Sequence, residues 1–70
     1  MPYYLCNKDV DNKGRHEVHT RDCSFKPSVS NSVDFGYFSN CQEAIKAMKS
    51  ANPNHEFDGC YYCSNACHKG

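Results

Sequence analysis

The sequence predicts an α+β fold in which one main helix packs on a three-stranded antiparallel sheet and a cysteine knuckle closes the C-terminal end. Three observations predict it. Aromatic and β-branched runs are separated by turn residues, one segment repeats its apolar side chains at helical spacing, and Gly59-Cys60-Tyr61-Tyr62-Cys63 follows that segment. The 70 residues are read as a single domain, 1–70. At this size a hydrophobic core alone rarely suffices, so a second source of stability is expected.

Tyr3-Tyr4-Leu5-Cys6 reads as the first strand, and Asp11-Asn12-Lys13-Gly14 supplies the turn that follows it. Arg15-His16-Glu17-Val18-His19 returns as the second strand. Side chains alternate along a strand, so Glu17 and His19 share one face and His16 and Val18 the other. The segment from Ser24 to Ser32, with Pro27, four serines and Asn31, is a surface loop. Val33 to Phe38 gives the third strand, with Val33, Phe35 and Tyr37 on one face, and Gly36 marks a bulge or a close backbone approach.

Ser39 opens the helix. Ser39-x-x-Gln42 has capping-box spacing, and Glu43 places a negative charge where the helix dipole favours it. Cys41, Ala44, Ile45, Met48 and Ala51 form one apolar stripe that belongs against the sheet. Asn52-Pro53-Asn54 ends it.

Six cysteines in 70 residues point to either a disulfide framework or a metal site. The N-terminus has no basic region leading into an apolar stretch, and no segment is long enough to cross a bilayer, so the expected location is cytoplasmic. Thiols stay reduced there, which favours metal. His19-x-x-x-Cys23 and Cys60-x-x-Cys63 together supply the soft nitrogen and sulfur donors of one tetrahedral zinc site. His19 is preferred over His16 because it lies beside the turn that carries Cys23. The alternative quartets replace His19 with Cys67 or His68. Cys6 and Cys41 are read as buried thiols of the core, and Cys67 as a small hydrophobe, a helper thiol or a ligand. A disulfide among Cys6, Cys41 and Cys67 would require an oxidising compartment.

Eight basic and eight acidic side chains cancel, so no overall field draws the chain to nucleic acid or to an anionic membrane. Lys8, Lys13, Arg15, Arg21 and Lys26 do fall in the first third, interspersed with Asp9, Asp11, Glu17 and Asp22. No carboxylate pair or Ser-His-Asp set is placed by a recognisable motif.

The strand-turn-strand from Tyr3 to His19, the x3-spaced ligand pair ending at Cys23, Tyr37-Phe38-Ser39-Asn40-Cys41-Gln42-Glu43-Ala44 and Gly59-Cys60-Tyr61-Tyr62-Cys63 come in an order that resembles the Ada-like zinc-binding modules. That resemblance covers most of the chain. It implies a zinc domain found in DNA repair, with four cysteine ligands, the first of which accepts a methyl group from a DNA phosphotriester. Here that first position is His19, whose imidazole can hold zinc but cannot serve as the sulfur acceptor. The expected function is therefore a non-catalytic structural-zinc module that binds a protein partner. The alternatives are a nucleic-acid-binding module and, last, a zinc-thiolate methyl acceptor using Cys23 or Cys67.

Overall fold

The computed structural model describes residues 1–70. Its elements run β1 (Tyr3–Asn7), β2 (Arg15–Thr20), β3 (Ser32–Tyr37), α1 (Cys41–Ala51) and β4 (Glu56–Gly59), with single 3-10 turns at Val29–Asn31 and Asn65–Cys67. The α+β class and the single main helix are as expected. The sheet differs: it has four strands in the order β3-β1-β2-β4, and it is mixed.

β1 pairs antiparallel with β2 on one side and with β3 on the other. β4 adds to the free edge of β2 in parallel, matching Arg15 with Glu56 and Val18 with Gly59. Parallel partners need a long crossover, and here β3 and α1 lie within it. Glu56–Gly59 is too short, and too poor in β-branched residues, to announce itself as a strand. What makes it one is the unpaired edge of β2, which leads the chain straight into Cys60.

The β1–β3 register shifts between Tyr4 and Leu5, because Tyr4 pairs with Gly36 and Leu5 with Asp34. Gly36 carries φ +103° at this bulge, a backbone region in which a Cβ is strained. The irregularity breaks the simple alternation expected for the strand. Phe35 and Phe38 both pack against the core, whereas Tyr37 is exposed and stacks edge-on against Tyr3.

The core is the layer between α1 and the sheet. Tyr4, Cys6, Val18 and Phe57 meet Cys41, Ala44 and Met48, with Ile45 packed alongside. Ala51 lies at the exposed end of the stripe. The helix begins one residue later than the capping box predicts: Asn40 is the cap, its side chain accepting from the Glu43 amide at 2.9 Å. Ser39 and Asn40 are both good capping residues, and Asn40 is the one positioned three residues before that free N–H.

Candidate metal centre

Val18 faces the helix, so strand alternation turns His19 to the other side of β2. The chain then makes a tight turn, with the Cys23 amide bonded to the Thr20 carbonyl at 3.1 Å, which returns the Cys23 sulfur toward the imidazole. The second pair arrives with β4. Cys60 donates its amide to the Val18 carbonyl, and Ser64 closes the next turn on the Cys60 carbonyl, both at 2.9 Å. One strand pairing thus delivers Cys60 and Cys63 beside a histidine about forty residues earlier.

His19, Cys23, Cys60 and Cys63 offer one donor atom each, and the four atoms all lie within 4.8 Å of one another. These are the four residues the spacing singled out. The group could hold a metal ion. Two of its edges are 3.9 Å, between the Cys23 and Cys60 sulfurs, and 3.8 Å, between Cys63 Sγ and His19 Nδ1. A tetrahedral zinc with sulfur ligands at roughly 2.3 Å would set sulfur pairs about 3.8 Å apart. His19 is fully buried, Cys23 and Cys60 nearly so, and Cys63 is half-buried.

The electrostatics are uneven. Burial pushes the Cys23 thiol up to about 11, and hydrogen bonding with Cys63 and Cys60 adds to that rise. Burial also works to raise Cys63, but hydrogen bonds from the Thr20 amide, Cys23, Ser64 and Cys60 outweigh it, and its pKa falls below the ordinary thiol value. The Thr20 N–H points at Cys63 Sγ from 3.3 Å, the kind of amide contact that stabilises a thiolate. Burial holds the His19 imidazole toward its neutral, metal-binding form, with Glu17 pulling the other way.

Glu17 is the residue that ligand spacing alone does not identify. Its Oε1 comes within 2.9 Å of His19 Nε2, yet that nitrogen makes no in-line hydrogen bond. The carboxylate therefore approaches the neutral ring closely but off the N–H direction. The sequence signal was the i, i+2 spacing that puts Glu17 on the face of His19.

The alternative ligands lie elsewhere. Cys67 is joined to Cys41 in a disulfide. His68 Nδ1 contacts the Gly59 carbonyl at 2.9 Å and lies 3.9 Å from Asp58. Cys41 is therefore not the free core thiol expected for it, whereas Cys6 is free and buried. The pairing departs from the reduced thiols expected to follow from a cytoplasmic location. No helix is long and apolar enough to cross a membrane.

Gly59 makes room for the C-terminal turn. A Cβ there would lie 2.4 Å from the Ser64 carbonyl oxygen and 2.7 Å from Cys67 Cβ. The C-terminal turn rests directly on this backbone, so the glycine provides room rather than torsional freedom.

Beside the metal group lies an aromatic platform. Phe25, from the turn after Cys23, stacks on Tyr62 of the knuckle with centroids 4.2 Å apart, and Tyr61 packs edge-on against both Tyr62 and His68. All three aromatic side chains are more than half exposed. No protein-family model, curated protein or solved structure matches the chain.

Proposed function

We propose that this chain is a non-catalytic, zinc-stapled module that presents its aromatic platform to a protein partner. The observation that carries the reading is the closure of the site. Four protein side chains converge as a Cys3His set whose donor atoms all lie within 4.8 Å of one another, three of the residues buried, and a closed set of four such donors is what structural zinc takes, with no open position for a reactant. Zinc bound there would contribute folding free energy to a chain with a small core.

Exposed stacked aromatics support the partner half of the proposal, because Tyr and Phe offer large contact area at little conformational cost and are enriched where proteins meet. The basic residues behind the nucleic-acid alternative are largely engaged within the chain. Arg21 lies 4.4 Å over the Tyr3 ring and donates to the Tyr37 hydroxyl, and Lys13 and Arg15 both reach the Gly70 carbonyl.

Native mass spectrometry with and without chelator tests the metal: one zinc per chain is expected, with loss of the folded NMR spectrum on removal. A metal-free protein that keeps its fold would sink the proposal. A photo-cross-linking phenylalanine analogue tests the platform. At position 62 it should trap a discrete product in cell extract, and at exposed Val10 it should not; equal trapping at both places would reject the platform.

A further inference from the structure

We infer that the groove between α1 and the C-terminal turn is a docking site for an acidic peptide segment that inserts one apolar side chain. The inference rests on the protein-partner reading and assigns a chemistry to that partner. The groove is shallow and open to solvent and offers about 480 Å³, a size that takes a side chain or a small ligand. Ile45 from the helix, Phe57 from β4 and Cys67 from the final turn give it an apolar lining.

Its rim is cationic. Lys46 and Lys49 stand on the helical side and Lys69 on the other. Lys49 is committed, donating to Glu56 Oε2 at 2.8 Å and to the His55 carbonyl at 2.6 Å. The ammonium groups of Lys46 and Lys69 have no partner within the chain. Of the carboxylates nearby, Glu56 is engaged by Lys49 and buried Asp58 by Arg15 and the Lys69 amide, which leaves Glu43, one helical turn before Lys46, as the single uncommitted one against two free ammonium groups. An otherwise neutral chain thus carries two free cations over an apolar slot. The complement of that surface is an anionic strand bearing a hydrophobic residue.

The slot is also preformed. The disulfide between Cys41 and Cys67 joins its two walls covalently, so little ordering is left for a ligand to impose. His68, which lines the groove, touches Tyr61 with centroids 5.5 Å apart. A bound segment would run from the groove onto the aromatic platform, and one partner could engage both.

The test is selection of a random dodecapeptide phage library on immobilised zinc-loaded protein. Enriched peptides are expected to be net acidic with at least one Leu, Ile or Phe. Their synthetic versions should shift the amide signals of Ile45, Lys46, Phe57 and Lys69. The double reversal Lys46→Glu with Lys69→Glu should weaken them at least tenfold without changing the melting temperature, since both side chains are exposed. Phe25→Ser with Tyr62→Ser should weaken the same peptides less. Peptides that are neutral or basic, or indifferent to the lysine reversal, overturn the inference. If binding is lost only in the Phe25/Tyr62 variant, the groove falls and the protein-partner reading stands. If nothing is enriched, both fall.

Discussion

Glu17 Oε1 sits 2.9 Å from His19 Nε2, on the edge of the ring opposite the nitrogen that faces Cys63. A carboxylate in that position orients a metal-bound imidazole and raises its basicity. Glu17→Ala is expected to weaken zinc binding about 10- to 100-fold, measured by competition with a chromophoric chelator, while the zinc-saturated fold persists. An unchanged affinity would show that Glu17 does nothing for the ligand.

Gly59 admits no side chain. Gly59→Ala drives a methyl group into the Ser64 carbonyl and Cys67, and overpacking of this kind costs about 1–3 kcal/mol. Because Ser64 closes the knuckle turn on Cys60, zinc affinity should fall along with stability. Thermal unfolding of the zinc form is expected to drop by roughly 10 °C. A melting temperature within a degree of the parent would contradict the close approach.

Reduction of the Cys41–Cys67 bond, or Cys41→Ala with Cys67→Ala, should destabilise the chain by about 3 kcal/mol, since the bond closes a loop spanning 26 residues. Zinc stoichiometry should stay at one, because neither cysteine belongs to the quartet. Loss of the metal in the double variant would restore Cys67 as a ligand.

Alkaline pH should be felt through Cys6. Burial pushes its thiol from 9.0 up to about 11. Between those values the folded chain keeps a proton that the unfolded chain releases, so stability falls as pH rises through the window. The contribution is complete below about 9 and gone near 11, a difference of about 2–3 kcal/mol for one thiol. Urea midpoints of the zinc form at pH 8 and pH 10.5 should converge in Cys6→Ala. If the variant keeps the parent's alkaline slope, Cys6 is not the cause.

The convergence of His19, Cys23, Cys60 and Cys63 was legible in the sequence because donor spacing is local: each pair sits on one turn, and the choice of soft donors needs no knowledge of the fold. The helix was legible for the same reason, and its start slipped by one residue only because two capping side chains stand side by side. Glu56–Gly59 was not legible as a strand. Its pairing depends on the edge of β2, some forty residues away, and four residues carry too little pattern to reveal it. The Cys41–Cys67 bond was legible only as one of three pairings among Cys6, Cys41 and Cys67, since a count of cysteines does not fix their connectivity. Phe25 and Tyr62 follow and precede members of the quartet, Cys23 and Cys63, so their stacking follows from its convergence.

The parallel pairing of β2 with β4 has a consequence for how the chain matures. His19 and Cys23 are translated early, but their partners are 37 or more positions further on. Two donors cannot close a tetrahedral shell. A polypeptide interrupted before Glu56 therefore carries two of the four donors and lacks the strand that would complete the sheet edge. On the metal-stapled reading proposed above, capture of the ion would then mark the arrival of the last residues.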